Sequence, residues 1–359
     1  MLSLTQTWYS KSITPLAILL MPFSWLFGLC AALRRFFYRI GIFKTYHFNV
    51  PVIVVGNLTV GGTGKTPFVI ELVKILKANG FHPGIVSRGV GGKKHVIPHQ
   101  VQVNDTPDRV GDEALLLKRN TGCSVVISVD RVAAVRELLK HANCNIVISD
   151  DGLQHYRLGR KLEIVMMDGE RQVGNKQLLP AGPLREPVSR LNTVDFVVTH
   201  VGNDKDNNVR YTMSLQPVEF VSVMDTQHRI PLTTFARDTI HAVAGIGHPQ
   251  RFFMTLKDAG FDIIPHVFPD HHAYQANELS FTEAKCIVMT EKDAVKCVSF
   301  ADERYWYLSV TAKLNHQLQH DLLLKLKSLE DDHEYEKDFA MYTCRNSYRI
   351  QCDPIRKQK

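Results

Sequence analysis

One stretch of the sequence, Gly56-Asn57-Leu58-Thr59-Val60-Gly61-Gly62-Thr63-Gly64-Lys65-Thr66-Pro67, decides how the rest of the chain is interpreted. The preceding segment from Val50 to Val55 is apolar and β-branched, as in a buried strand, and the segment from Phe68 to Asn79 has helical spacing. A strand, a glycine-rich turn and a helix in this order are the setting of a phosphate-binding loop. The stretch therefore predicts a nucleotide site in an α/β fold.

The chemistry of this loop follows from its residue types. Three glycines within four positions let successive backbone N–H groups point at phosphate oxygens, because no Cβ stands in the way. Lys65 is then expected along the β- and γ-phosphates, and the Thr66 hydroxyl is expected to bind Mg²⁺. Thr59 stands where the full pattern has glycine, and a glycine-rich turn without nucleotide is the alternative. The predicted nucleotide-binding residues are Thr59, Val60, Gly61, Gly62, Thr63, Gly64, Lys65 and Thr66.

Composition sets broad limits on the class of protein. The 359 residues are 45% hydrophobic and 22% charged, which suits a globular chain long enough for two domains. The net charge of +7 is compatible with nucleic acid, anionic lipid or merely a basic surface, and does not choose among them. The seven cysteines form no Cys-x-x-Cys pair, so neither a zinc site nor a disulfide framework is indicated, and a reducing cytoplasm fits best.

An apolar run near the N-terminus is typical of a membrane contact. It extends from Pro15 to Leu33 and is followed by the basic residues Arg34, Arg35, Arg39 and Lys44. Because the run is short for a span and contains Pro22, we expect a helix lying in the membrane surface, with its arginines among anionic head groups. A buried core helix is the alternative, and a signal peptide is disfavoured because the basic cluster follows the apolar run.

Strands and helices alternate after the phosphate-binding loop. Strands are predicted at 83–86, 124–129, 145–149, 162–167 and 196–199, and helices at 110–119 and 131–141. This order predicts a doubly wound, mostly parallel sheet. The strand at 145–149 runs directly into Asp150 and Asp151, and an acid at a strand end downstream of a phosphate-binding loop commonly holds Mg²⁺.

A second, smaller α/β unit is predicted after residue 239. It contains strands at 241–244 and 286–289 and a helix at 249–259, and alternating patches within 209–231 indicate a two-stranded connector. Thr290-Glu291-Lys292-Asp293 imitates a guanine-binding motif, but its lysine is one place late, so no GTPase is predicted. The expected parts are an N-terminal helix (1–45), a P-loop core (46–208), a connector (209–238), the second unit (239–328) and a polar tail (329–359).

Several motifs in one order closely resemble the tetraacyldisaccharide 4′-kinase family of lipid A biosynthesis. They are the loop at 59–67, Ser-Arg-Gly at 87–89, Gly-Asp-Glu at 111–113, Asp-Arg at 130–131, Asp-Asp-Gly-Leu-Gln-His at 150–155, Leu-Leu-Pro-Ala-Gly-Pro-Leu-Arg-Glu at 178–186, Asp-His-His at 270–272 and Thr-Glu-Lys-Asp at 290–293. The resemblance extends from Trp8 to about Leu326 and includes Thr59. Val90, Ala114 and Lys176 stand where the family typically has tyrosine, proline and glycine.

The resemblance implies a reaction and a set of site residues. The reaction is ATP- and Mg²⁺-dependent phosphorylation of the 4′-hydroxyl of a tetraacylated glucosamine disaccharide 1-phosphate, at the cytoplasmic face of the inner membrane. Asp112 is the expected base, and His271 is expected to pair with it, orienting it and raising its basicity. With these, Lys65 is expected to be catalytic, Thr66, Asp150 and Asp151 to bind the metal, and Arg88, Gln154, His155 and Arg185 to contact substrate.

Other classes of function stay open at this point. A nucleotide switch would need base-reading residues, and a membrane scaffold with a degenerate nucleotide site would lack an acid–base pair near the phosphates. A kinase that acts on another membrane lipid is a further alternative. The expected partners are the acylated disaccharide lipid and the anionic membrane surface, whereas no nucleic-acid partner is expected and no feature identifies a protein partner.

Overall fold

A computed structural model describes residues 4–10, 12–202, 209–235, 239–281 and 284–329. The predicted polar tail lies almost wholly outside these residues, as do parts of the predicted connector and its boundary. The helices are α1 (Leu4–Trp8), α2 (Pro15–Arg39), α3 (Lys65–Ala78), α4 (Pro107–Val110), α5 (Asp112–Thr121), α6 (Arg131–His141), α7 (Pro249–Asp258), α8 (Glu291–Cys297) and α9 (316–329). Short 3-10 helices cover Val188–Thr193, Leu232–Phe235 and Ala276–Leu279.

The described strands form one continuous sheet. They are β1 (Val52–Gly56), β2 (Pro83–Ser87), β3 (His99–Gln100), β4 (Val125–Ile127), β5 (Ile146–Asp150), β6 (Leu162–Asp168), β7 (Phe196–His200), β8 (Thr212–Ser222), β9 (Arg229–Pro231), β10 (Thr239–Ala244), β11 (Asp262–Val267), β12 (Ile287–Thr290) and β13 (Tyr305–Leu314). Their order is β11-β10-β12-β13-β8-β7-β6-β1-β5-β2-β4-β3, with β9 paired to β8. Pairing is parallel except at β13/β8, β8/β9 and β3/β4, so the predicted mostly parallel α/β class is confirmed.

Alternation along β1 shows why the sheet needs helices on both faces. Ile53 and Val55 pack into one apolar cluster with α3 and α5, whereas Val52 and Val54 pack into another cluster with α6. Successive strand residues point to opposite faces, so a strand buried throughout must be covered twice. The covered strands therefore bring their carboxyl ends, and the loops that follow them, to one exposed edge of the sheet.

The second half of the chain continues the same sheet. β8 pairs with β7 on one side and with β13 on the other, which joins the strands near the P-loop to β10, β12 and β11. The antiparallel pair β8/β9 lies within the segment in which two strands were predicted. Division of the chain into a P-loop unit, a connector and a second unit remains a proposal, since no break in the sheet marks it.

The apolar run forms a single 25-residue helix, α2, that is mostly uncovered by the rest of the protein. Leu19 is 70% exposed and Trp25 is 69% exposed, and only Ala17 and Ser24 are buried. Of the most apolar 18-residue window, 11% is buried, so the buried core helix is wrong. The helix is long and apolar enough to cross a membrane by length and composition. Its placement in the membrane surface stays a prediction.

Candidate active site

The loop between β1 and α3 is shaped by its glycines and by Asn57. Gly61 and Gly64 have φ angles of 109° and 87°, in the left-handed region that favours glycine. A Cβ on Gly64 would lie 2.8 Å from Nδ1 of His200, so that position admits no side chain. The buried Asn57 amide donates hydrogen bonds to the carbonyls of Thr59 (2.7 Å) and Gly61 (3.2 Å). Asn57 therefore fixes the curvature of the loop from its buried side.

Lys65 lies between this loop and the end of β5. Its Nζ donates to Asn57 Oδ1 at 3.2 Å and is 3.3 Å from Asp151 Oδ1. Asp151 also accepts from Arg185 Nη1 at 3.2 Å. Burial raises the pKa of Asp151, but the charges of Lys65 and Arg185 outweigh it and lower the pKa to about 2. The structure thus brings together Lys65, which is predicted to bind phosphate, and Asp151, which is predicted to bind the metal. Arg185 pairs with Asp151.

Asp150 is buried and only partly satisfied. It is 1% exposed, Ser87 Oγ donates to its Oδ2 at 3.3 Å, and its Oδ1 has no hydrogen-bond partner among the described residues. Burial and the charge of Glu113 raise the pKa of this carboxyl group. An orphaned buried carboxylate oxygen beside Asp151, one of the hard oxygen ligands that Mg²⁺ prefers, fits a metal site.

Asp112 and His271 are 159 residues apart in the chain and are in direct contact. His271 Nδ1 lies 3.0 Å from Oδ2 and 3.1 Å from Oδ1 of Asp112. Asp112 begins α5 and is 2% exposed, while His271 comes from the loop after β11. The predicted pair therefore exists, although the catalytic roles of its members remain proposals.

The expectation that His271 raises the basicity of Asp112 is wrong. Burial raises the pKa of the Asp112 carboxyl group, but the hydrogen bond from His271 and the nearby charges of Lys292 and Lys296 bring it below its ordinary value. A hydrogen bond to a carboxylate stabilises the charged form and so weakens it as a base. The same hydrogen bond raises the pKa of His271, against opposing effects of burial and Lys292.

Lys292 was missed as a site residue because the sequence motif that contains it imitates an unrelated one. Its Nζ is 3.0 Å from Glu113 Oε1, 3.2 Å from Asp270 Oδ1 and 3.5 Å from His271 Nε2. Asp293 of the same motif accepts from the backbone N–H of Gly245 at 3.0 Å. The motif therefore ties α8 to the Asp112–His271 pair and to the turn after β10. The signal that could have found it was a helix N-terminus directly following a buried strand.

A cavity of about 960 Å³ lies between α2, the phosphate-binding loop and the loop that carries His271. Its lining includes Lys65, Asp151, His271, Arg88, Gln154 and Arg185, together with Arg34 and Arg35 of α2. Asp112 is absent from the lining because it lies beneath His271. A second cavity of about 320 Å³ adjoins the other side of the loop, between α3, β13 and the start of α7.

The remaining predicted substrate residues differ in their surroundings. Arg88 is exposed at the cavity, whereas Gln154 donates to the Asn57 carbonyl at 3.1 Å and to Glu186 Oε1 at 2.9 Å. His155 does not line either cavity, and burial lowers the pKa of its imidazole to about 4. The structure thus brings Arg88 and Gln154 to the cavity and leaves His155 behind it.

A polar network behind the phosphate-binding loop was not predicted. Arg251 Nη2 is 2.8 Å from Asp168 Oδ1, and Arg251 Nη1 lies 2.8 Å from His200 Nδ1. Burial and the charge of Arg251 lower the pKa of His200 to about 3, so the imidazole is neutral and accepts from the guanidinium. Asp168, Glu170 and His248 also lie close enough to hold a cation, but Arg251 already pairs with Asp168. The network therefore fastens α7 to the ends of β6 and β7.

The comparisons with known proteins agree with this geometry. The family model described as "Tetraacyldisaccharide-1-P 4′-kinase" matches residues 16–327. The chain belongs to the tetraacyldisaccharide 4′-kinase family. A family member named tetraacyldisaccharide 4′-kinase from Methylobacillus flagellatus is 48% identical over 327 residues, covering 91% of this chain and 96% of that one. Others of the same name include those of Nitrosococcus oceani, 48% identical over 86% and 89% of the two chains, and Coxiella burnetii, 45% identical over 92% and 97%.

A solved structure of a tetraacyldisaccharide 4′-kinase family member, LpxK from Aquifex aeolicus in complex with ATP, has the same fold. It matches with a TM-score of 0.74 and 28% identity, covering 88% of this chain and 99% of that one. The family resemblance noted from the motifs is confirmed. The motifs of the tetraacyldisaccharide 4′-kinase family thus converge on one edge of the sheet.

Proposed function

We propose that this protein transfers the γ-phosphoryl group of ATP to the 4′-hydroxyl of a tetraacylated glucosamine disaccharide 1-phosphate, at the cytoplasmic face of the inner membrane. The observation that carries the proposal is that Lys65, Asp151 and His271 line one cavity, which α2 borders. Phosphoryl transfer needs positioning and charge neutralisation more than covalent chemistry. A lysine ammonium group that can bind phosphate, a carboxylate and an imidazole meet that need when they line one cavity.

The phosphate side of the reaction belongs to the glycine loop. Its backbone N–H groups and Lys65 hold the β- and γ-phosphates, and the smaller cavity beside α3 holds the remainder of ATP. Thr66, Asp150 and Asp151 are the residues that would hold Mg²⁺, which supplies charge neutralisation at the phosphate oxygens when bound. Lys65, whose Nζ is 3.3 Å from Asp151 Oδ1, is the cation that would neutralise the γ-phosphate beside the metal-binding carboxylates.

The acceptor side belongs to the Asp112–His271 pair. Asp112 accepts from Nδ1–H of the imidazole, and His271, which lines the cavity, takes the proton of the sugar hydroxyl on Nε2 in place of its contact with Lys292. The sugar oxygen bonds to the γ-phosphorus as the bond from phosphorus to the β,γ-bridging oxygen breaks, and ADP leaves. Asp112, the base expected from the sequence, thereby acts through His271.

The membrane side belongs to α2. Its exposed apolar side chains enter the acyl region, and Arg34 and Arg35 face the cavity near the head groups. The acyl chains of the substrate stay in the bilayer while its sugar enters the cavity.

Turnover of labelled ATP on the acylated disaccharide tests the proposal. Wild-type protein is expected to label the disaccharide lipid on thin-layer chromatography, and EDTA is expected to abolish the reaction. Lys65→Met is expected to lower kcat by roughly 10³, the scale of losing a charge aimed at the transition state. Lys140→Met, on the exposed side of α6 and in the lining of neither cavity, is the matched control. Labelling of a different membrane lipid, with none of the disaccharide, would favour the lipid-kinase alternative.

A further inference from the structure

The segment 93–97 exposes two adjacent apolar side chains that none of the described elements covers. Val96 is 76% exposed and Ile97 is 82% exposed, the two highest values among the large hydrophobic residues that the structure describes. Lys93 and Lys94 precede them and are also exposed. Single exposed apolar residues are ordinary, but an adjacent pair beside two lysines is a small amphipathic tip.

This tip is held by hydrogen bonds on both sides, so its exposure is built into the fold. The backbone N–H of Lys93 donates to the carbonyl of Asp108 at 3.1 Å. The carbonyl of His95 accepts from the N–H of Val129 at 3.0 Å and from Ser128 Oγ at 3.3 Å. His95 Nε2 also lies 2.8 Å from the carbonyl of Arg109. Such anchoring presents the two side chains outward.

The tip and α2 lie on the same edge of the sheet. Ser128 follows the end of β4, and two residues later Asp130 Oδ2 accepts from Arg157 Nη1 at 2.6 Å. The neighbouring Tyr156 ring is 5.9 Å from the Tyr38 ring of α2, centroid to centroid. Arg88 and Val90, which come just before the tip, line the same cavity as α2. The cavity is therefore lined by α2 and by residues that lead directly into the tip, and both elements expose apolar side chains.

We infer that segment 93–97 is a second membrane contact, in which Val96 and Ile97 insert into the surface of an anionic bilayer beside α2. The inference rests on the proposed function, because a substrate with acyl chains reaches the cavity only if the mouth faces the bilayer. Lys93 and Lys94 match the charge of anionic head groups, and Val96 and Ile97 match the acyl boundary below them. With contacts at both α2 and the tip, the protein cannot roll about the axis of α2.

Quenching by brominated acyl chains tests insertion directly. Ile97→Trp is made in a full-length Trp25→Phe background, so that α2 carries no tryptophan. Vesicles of brominated phosphatidylglycerol and phosphatidylethanolamine are expected to quench the new tryptophan. Leu324→Trp in the same background is the control, because Leu324 is 55% exposed on α9 near the N-terminal end of β7, at the opposite sheet edge. Equal quenching of both reporters, or of neither while the protein is vesicle-bound, would overturn the inference.

A kinetic arm separates this inference from the proposed function. Val96→Ser with Ile97→Ser is expected to lower kcat/KM about tenfold when the substrate is in anionic vesicles, given the apolar area withdrawn from lipid. In mixed micelles, where orientation to a flat surface is not needed, the loss is expected to stay within about twofold, as for Leu324→Ser. Equal losses in both media would overturn the inference. A wild-type protein without kinase activity would refute the proposed function and leave the quenching result to decide on the contact. Quenching replaced by concentration-dependent dimerisation in light scattering would assign the tip to a second copy.

Discussion

Two of the predicted site residues adopt a backbone conformation that ordinary residues avoid. Asp151 has a φ of 48° and His271 a φ of 60°, both in the left-handed region. Such residues cost of order 1–3 kcal/mol each and persist where surrounding contacts determine them. Lys65 and Arg185 hold Asp151, and Asp112 holds His271. The side-chain pairs thus fix the direction in which these two groups face the cavity.

The pH dependence of turnover tests the assignment of His271. A base must be unprotonated, and the hydrogen bond to Asp112 raises the pKa of His271, so kcat/KM is expected to rise with pH through a value above the ordinary 6.5. Asp112→Asn removes the carboxylate and is expected to move this acid limb to lower pH. Lys292→Met removes a like charge that lowers the pKa and is expected to move the limb to higher pH. Shifts of the same sign in both variants would remove His271 as the titrating group.

The stability of the same ion pair has a definite pH window. Because the folded pKa of His271 is raised, its contribution is complete below the unfolded pKa of about 6.5 and is lost as pH rises through the folded value. Because the folded pKa of Asp112 is lowered, its contribution is present above the unfolded value and is lost as pH falls through the folded one. We expect the difference in unfolding free energy between wild type and Asp112→Asn to be largest between these limits, by chemical denaturation.

Lys176 also has a left-handed backbone conformation, with a φ of 61°. A side chain in this region costs roughly 1–2 kcal/mol, while glycine loses more chain entropy on folding. Lys176→Gly is therefore expected to raise the free energy of unfolding by up to about 1 kcal/mol, measured in urea. Lys161→Gly, at the residue just before β6, is the control, and it is expected to lower the free energy of unfolding. A lower free energy of unfolding in Lys176→Gly would show that the lysine side chain stabilises the fold by more than its backbone strain destabilises it.

At the scale of elements, α2 is docked through a small patch. Ser24 Oγ donates to the Leu178 carbonyl at 2.8 Å and accepts from the Ala181 N–H at 2.9 Å. A Cβ on Gly28 would lie 2.7 Å from Leu178 Cδ1. The same loop reaches the phosphate-binding loop, since the Val60 N–H donates to the Pro183 carbonyl at 2.8 Å. The 178–187 loop therefore connects the membrane helix to the nucleotide site.

Gly28→Val is expected to separate docking from membrane binding. The added side chain crowds Leu178 Cδ1, so that Leu178 or α2 has to shift, while the apolar surface that binds lipid is unchanged or slightly larger. We expect sedimentation with membranes to stay at the wild-type level and kcat/KM for the lipid to fall at least tenfold, the scale on which misplacement of a bound substrate acts. Leu29→Val, on the exposed side of the same helix, controls for altered apolar surface. Release of Gly28→Val into the soluble fraction would contradict this division of roles.

The local sequence pattern was enough to predict the strands that end at the site, because each strand is a short apolar run followed by polar residues. The strands β1, β2 and β5 deliver Gly56, Ser87 and Asp150 to one edge, as their sequences indicate. The exposed edge strand β11 was missed, since its pattern contains Pro265 and His266 and buries none of its residues fully. Arg251 with Asp168, and Lys292 with Glu113, could not be foreseen, because nothing local pairs charges on elements so far apart in the chain.

At the scale of the molecule, several side-chain contacts between the two halves lie near the phosphate-binding loop. His271 meets Asp112, Lys292 meets Glu113, and Arg251 meets Asp168, each across more than 80 residues of chain. The turn after β10 adds a backbone contact, since a Cβ on Gly247 would lie 2.6 Å from the nitrogen of Gly62. We propose that these contacts form together when the second unit closes on ATP, with β8 as the hinge.

Gly247→Ala tests closure with the smallest possible change. The added methyl would strike the Gly62 nitrogen, which is backbone and cannot move without distorting the phosphate-binding loop. Because Gly247 is not in the left-handed region, the substitution adds no local backbone strain and acts only between the units. We expect kcat/KM for ATP to fall at least tenfold, with a thermal melting temperature close to wild type in the absence of nucleotide.

The matched control is Gly202→Ala, where an added Cβ meets no atom of the described residues within 4 Å. It is expected to keep the wild-type kinetics. If closure brings the units together, Gly247→Ala should also lose most of the thermal stabilisation that saturating ATP gives the wild type, because ligand binding stabilises only the state that it prefers. Wild-type ATP kinetics in Gly247→Ala would mean that the turn after β10 moves away from the loop during turnover, and the hinge at β8 would have to open rather than close.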